Sequence, residues 1–138
     1  MERSLALIKP DAVEKNIIGE VISRYEKNGL KIIALKMVKV EKEIASLHYS
    51  DLKGKVFYQE LIDFITRAPL CAIILEGVDA VQTVRRVNGA TNPLEAAEGT
   101  IRHDFGKDKT ENCVHASDSV ENANHEIKLW FPEFNNIL

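Results

Sequence analysis

The sequence predicts an α/β protein in which short strands alternate with amphipathic helices. Three observations carry that prediction. Apolar runs of strand length recur at "RSLALI", "LKIIALKMVKV" and "LCAIILEG". Stripes at helical spacing lie between and after them, as in "IIGEVISRYEKNG". Gly29, Pro69, Gly89 and Pro132 punctuate the boundaries. Alternation suggests a parallel, doubly wound sheet, but periodicity fits an antiparallel α+β arrangement equally well, and both stand at this point.

Taken in order, "RSLALI" reads as a strand closed by "KPD", which feeds a loop. The first helix places Ile18, Val21, Ile22 and Tyr25 on one face, with Gly29 just past its end. "LKIIALKMVKV" has the β-branched, semi-alternating look of a half-buried strand. Two helical pieces follow, the second carrying Phe57, Leu61, Ile62 and Ile65 as a stripe that stops before Pro69. "LCAIILEG" is continuously apolar, as a central strand would be. In "DAVQTVRRVNG" Asp79 is placed to cap a helix whose Val81, Val84 and Val87 face inward and which Gly89 ends. Gly89 to Glu111 has little periodicity, and a connection of that length in a compact domain is usually functional. After "NCVHASDS", Ser119 is a natural cap for a last helix with Ala123, Ile127, Trp130 and Phe131 inward.

Composition bounds the function. A chain of 138 residues is long enough for one domain with a real core, expected over 1–138. With 45% hydrophobic and 28% charged residues, disordered and collagen-like readings drop out. A formal net charge of −3 argues against a dedicated nucleic-acid binder, although a few converging cations could still hold a small anion. Leu5 to Ile8 is too short for a signal-peptide core or a membrane span, and no other apolar run in the sequence is long enough for either. Cys71 and Cys113 offer no metal spacing, which predicts reduced thiols in a cytoplasmic protein.

Four histidines are available for chemistry. His125 reads as a surface residue, and His48 and His103 as structural ones. His115 differs in its company, with Asn112 before it and Ser117 after it, yet the residues alone leave it either a catalytic group or a satisfied imidazole. The cations that could clamp a phosphate are scattered: Lys9 at a strand end, Arg85 beside Arg86 on a helix, and Arg102 in the long connection. Spacing does not show whether they meet.

"LALIKPDAV", "GATNPLEAAEGTIRHDF" and "NCVHASDS" together resemble the nucleoside diphosphate kinase family, and the likeness runs from "ERSLALIKPDAVEKN" to "HEIKLWF". The resemblance implies a ferredoxin-like sandwich, a four-stranded antiparallel sheet with helices packed on it. It implies a γ-phosphate transfer from nucleoside triphosphate to nucleoside diphosphate, by a ping-pong route through a pros-phosphohistidine on His115. Lys9, Tyr49, Arg85, Thr91, Arg102 and Asn112 would bind phosphates and ribose. Phe57 would stack on the base with Leu61 beside it, and Ser117 and Glu126 would orient the imidazole. Mg²⁺ would arrive with the nucleotide, and the protein would be a cytoplasmic homo-oligomer, a hexamer or tetramer built from dimers. No membrane or nucleic-acid partner is expected.

The physics of such a reaction suits these residues. Phosphoryl transfer needs in-line positioning and charge stabilisation, and a neutral imidazole held through one nitrogen is a good nucleophile at the other. Stacking leaves the base unread. Because the metal comes on the phosphates, neither a carboxylate cage nor a Gly-Lys-Ser/Thr phosphate loop is required. Two departures from the family pattern stand out: Ala116 where Gly is common, and "GKV" before Phe57 where an Arg-Pro pair is common. The latter predicts a looser lip at the base site. A rival member without catalysis would lack the nucleophile or the clamp, and this sequence has both.

Overall fold

Neighbouring strands all run antiparallel in the computed structural model, which describes residues 1–134. The sheet contains β1 (Glu2–Ile8), β2 (Lys31–Val38), β3 (Leu70–Gly77) and β4 (Val114–Ala116), in the order β2-β3-β1-β4. Register is fixed by pairs such as Leu5 with Ile74 and Leu7 with Ala72. Helices cover both faces. On one face α1 (Pro10–Glu14), α2 (Ile18–Lys27), α5 (Ala80–Asn88) and α6 (Ile101–Phe105) pack over Ala6, Ile8, Ile73 and Leu75. On the other, α3 (Lys42–His48), α4 (Tyr58–Thr66) and α7 (Val120–Trp130) cover Leu5, Leu7, Ala72 and Ile74. This is the ferredoxin-like sandwich that the resemblance implied. Double coverage explains why β3 reads as an unbroken apolar run although its neighbours are antiparallel. No helix among the described residues is long and apolar enough to cross a membrane.

Four local expectations change. "KPD" is the start of a helix rather than a loop: Pro10 occupies the first turn of α1, where its missing N–H costs nothing. Asp79 does not cap α5. It adopts a left-handed conformation (φ 49°), and the Val81 N–H donates instead to Glu2 Oε1 on β1, at 2.8 Å. The α4 stripe is Ile62, Phe64 and Ile65, while Phe57 precedes the helix and stays 47% exposed. The long connection contains α6, capped by the Thr100 hydroxyl accepting from His103 N–H. Gly89 (φ 89°) ends α5 as expected, and a Cβ there would lie 2.5 Å from the Thr100 hydroxyl oxygen, so this junction accepts only glycine.

The last helix follows its sequence closely. Ser119 Oγ accepts from Asn122 N–H at 3.1 Å, and Ala123, Ile127, Trp130 and the capping Phe131 are buried. Packing α7 across β1 brings its polar edge, Glu126, toward β4.

Candidate functional site

β4 is three residues long, and its alternation decides the chemistry. Val114 and Ala116 point into the core beneath α5, so His115, paired with Leu7, projects to the face shared by α3 and α7. There His115 Nε2 meets Glu126 Oε1 at 2.8 Å, and Ser117 Oγ donates to the same oxygen at 2.7 Å. A carboxylate only accepts, so the imidazole proton sits on Nε2 and the lone pair is left on Nδ1. Burial pulls the Glu126 carboxyl upward, but the bonds from His115 and Ser117 outweigh it, holding the group below its ordinary range.

A cleft of about 330 Å³ opens over His115. Lys9, Tyr49, Leu61, Arg85, Thr91, Arg102, Asn112 and Glu126 all line it, joined by Lys109 and Asp118. Residues from both ends and the middle of the sequence therefore converge on one cleft. Two expected site residues lie outside the lining: Ser117, buried beside Glu126, and Phe57, on the turn before α4.

The cationic side of the cleft is tightly held. Lys9 is 5% exposed; its ammonium donates to Asn112 Oδ1 at 2.6 Å and to the Thr110 carbonyl at 3.0 Å. Asn112 in turn donates to the carbonyls of Thr91 (2.9 Å) and Lys109 (3.1 Å). Burial lowers the Lys9 ammonium to about 8, against the pull of Asp11. Arg102 donates to the carbonyls of Gly89 (2.8 Å) and Val114 (2.7 Å), which ties α6 to the end of α5 and to β4. Its Nε has no hydrogen-bond partner among the described residues, and burial holds the guanidinium below its ordinary range. Burial pushes the Tyr49 hydroxyl up to about 12, so it enters the cleft as a neutral donor.

His48, read from the sequence as a structural residue, packs against His115 from outside the cleft lining. Its ring stands edge-on to that of His115, with centroids 4.5 Å apart, and its Nδ1 accepts from the Trp130 indole at 3.2 Å. Burial and the neighbouring His115 bring it down to about 3, so it stays neutral. Only adjacency to Tyr49 hinted at this, since the Trp130 contact spans 82 residues. His125 is exposed, as expected, and His103 pairs with Asp104 on the outer side of α6. His48, His115 and Glu126 offer ligand atoms within 4.8 Å of one another. Their hydrogen bonds do not suit a metal: the indole occupies the His48 lone pair, and Glu126 already takes the His115 Nε2 proton.

The comparisons agree with this geometry. Residues 2–136 match the sequence profile of the family described as nucleoside diphosphate kinase. A nucleoside diphosphate kinase of Clostridium perfringens is 56% identical over 133 residues, which span 96% of this chain and 93% of that protein. The solved structure of the Aquifex aeolicus nucleoside diphosphate kinase superposes with a TM-score of 0.91 at 42% identity, over 94% of each chain. A nucleoside diphosphate kinase family protein from Babesia bovis gives 0.92 at 45% identity, over 96% of this chain and 90% of its own.

Proposed function

This chain belongs to the nucleoside diphosphate kinase family, and from that premise we propose how its own residues move a γ-phosphoryl group from a nucleoside triphosphate to a nucleoside diphosphate. The observation that carries the reading is the His115–Glu126 contact at 2.8 Å inside a cleft lined by Lys9, Arg85 and Arg102. Glu126 fixes the tautomer, which leaves Nδ1 as the nucleophilic nitrogen. Its lone pair attacks the γ-phosphorus while the bond to the β,γ-bridging oxygen breaks, and the nucleoside diphosphate leaves. The terminal oxygen of a second diphosphate then attacks the phosphohistidine and releases the imidazole.

Positive charge builds on the ring as the N–P bond forms, and the Glu126 carboxylate is already placed to balance it. Arg85, Arg102, Tyr49 and Thr91 hold the phosphates. Lys9 and Asn112 meet the ribose hydroxyls, and Lys9 adds charge beside the transferring group. Phe57 and Leu61 offer the base a stacking surface without reading its edges. Magnesium fits the cleft as the nucleotide's companion: Asp118 is the lining carboxylate besides Glu126, and Glu126 is occupied. Held mainly by phosphate oxygens and water, the ion would neutralise phosphate charge.

Two further readings complete the proposal. The exposed Leu35 and Met37 on edge strand β2 support a homo-oligomer built from dimers, since an apolar open edge is otherwise an aggregation liability. The free, buried Cys71 and Cys113 support a cytoplasmic location. The test uses γ-labelled ATP with Mg²⁺. Label should attach to the protein, survive alkali, be lost in mild acid and pass to added GDP. His115→Ala should abolish it while His103→Ala and His125→Ala retain it; labelling that persists without His115 overturns the assignment.

A further inference from the structure

We propose that Asp11 is a positioning residue for the transfer: its buried carboxylate locks the Asn112–Val114 turn to the end of β1 and supplies the counter-charge for the Lys9 ammonium in the cleft. This rests on the reading that Lys9 acts as a cation on the bound nucleotide. Asp11 itself is not among the residues that line the cleft.

The turn it grips is strained. Cys113 has φ 75°, in the left-handed region, which a residue with a side chain keeps only where its surroundings impose it. Both sides of Cys113 are held. Its N–H donates to Asp11 Oδ2 at 3.0 Å, and its carbonyl accepts from the Lys9 main-chain N–H at 2.8 Å. Asn112 precedes this locked residue directly, and His115 follows it by two. The start of α1 and the start of β4 are thus one unit, and Asp11 is its only side-chain contact to the Cys113 backbone among the described bonds.

The electrostatics point the same way. Asp11 is 2% exposed, and its second oxygen has no hydrogen-bond partner among the described residues, so its charge acts through space. Among the described residues the Lys9 ammonium donates to neutral oxygens, of Asn112 and Thr110. The charged and titratable groups that face it are Asp11 on α1, Arg102 on α6, Cys113 before β4, and Asp108 in the loop after α6. His48 on α3 also feels its charge, and Lys109 shares the cleft. Burial acts most strongly and lowers Lys9 to about 8; Asp11 is the largest opposing influence. Asp108 is exposed and occupied by the N–H groups of Thr110 and Glu111, so water screens it. Without the Asp11 charge, the ammonium would lose its proton at a lower pH.

Asp11→Asn separates the two roles, because the amide oxygen can still accept from Cys113 N–H while the charge is gone. The Lys9 Cε chemical shift should titrate near 8 in the wild type. In Asp11→Asn its midpoint should fall by about one unit or more. The alkaline limb of single-turnover His115 phosphorylation should fall with it, so the variant is slow at neutral pH and recovers toward wild-type rates in mildly acidic buffer. A purely structural role would slow transfer by one factor at every pH. An unmoved Lys9 midpoint overturns the proposal whatever the activity. A midpoint that moves while the rate profile stays fixed upholds the charge pairing and locates the error in the role given to Lys9.

Discussion

The phosphate end of the cleft and its base end are built from different kinds of structure. At the phosphate end Lys9 and Asn112 are buried, and Arg102 is tied to two carbonyls from other segments. Each of these side chains is fixed by main-chain groups far from it in sequence. At the base end Phe57 is half exposed and Val56 fully exposed, on a turn held by local bonds such as Tyr58 N–H to the Lys55 carbonyl. The first region is ordered before any ligand arrives, as stabilisation of developing charge requires. The second is a lip of side chains with little around them. A kinase that treats all bases alike needs the first and is served by the second.

The largest effect should follow from damaging the rigid end. Lys9→Gln keeps a donor of similar length but removes the charge. The rate of His115 phosphorylation by ATP should fall about 10²–10³-fold, the size of a lost transition-state donor. Nucleotide binding should weaken far less, because Arg85 and Arg102 stay in place. Replacing ATP by 3′-deoxy-ATP probes the same corner without touching the protein, and the single-turnover rate should fall by a similar factor. If binding and rate fell together in both experiments, the preorganised end would be a general anion clamp and the contrast with the lip would disappear.

This division also decides what could be seen in the sequence. The elements were legible because each carries its own period: the α2 and α7 stripes and the β3 run are local signals. Strand direction was not, since covering both sheet faces erases the alternation that separates antiparallel from parallel strands. The site residues were visible as motifs through resemblance, but their convergence was not. Lys9 and Asn112 are 103 residues apart, and nothing between them states that they touch. The packing of His48 against the site was hidden for the same reason, as its partners His115 and Trp130 come from the other end of the chain. Asp79 misled because a cap requires extended backbone as well as a side-chain oxygen, and its left-handed conformation is set by the tight β3–α5 turn.

Glu126 tests whether rigidity at the phosphate end depends on charge or on geometry. Glu126→Gln preserves an oxygen to accept the His115 Nε2–H and the Ser117 hydroxyl, but removes the negative charge facing the ring. Exchanging a charge-assisted hydrogen bond for a neutral one forfeits about 1–2 kcal/mol. Phosphorylation of His115 should slow by about tenfold, with KM for ATP nearly unchanged. Ser117→Ala should have a smaller effect in the same direction, since one of the two bonds onto Glu126 Oε1 survives. A loss in Glu126→Gln as deep as that in Glu126→Ala would mean that charge, rather than orientation, is the whole contribution.

Phe57 probes the other end, where the smallest effect is expected. Base–aromatic stacking is worth roughly 1–3 kcal/mol, and a ring that is 47% exposed belongs at the low end of that range. Phe57→Ala should raise KM about fivefold, the equivalent of roughly 1 kcal/mol, and leave kcat unchanged. The reason is that stacking is equal in the ground and transition states, so its loss is a loss of uniform binding. Every base has a π-face, so ADP, GDP, CDP and UDP should be affected by similar factors. Folding stability should also hold, because Phe57 precedes α4 and contributes to neither core. Steady-state kinetics with the four diphosphates, beside a urea titration, measure all three outcomes. A fall in kcat would show that the lip helps to place the phosphates. A KM effect confined to one base would reveal a hydrogen-bonded contact to its edge, and the two ends of the cleft would then be closer in kind than their burial indicates.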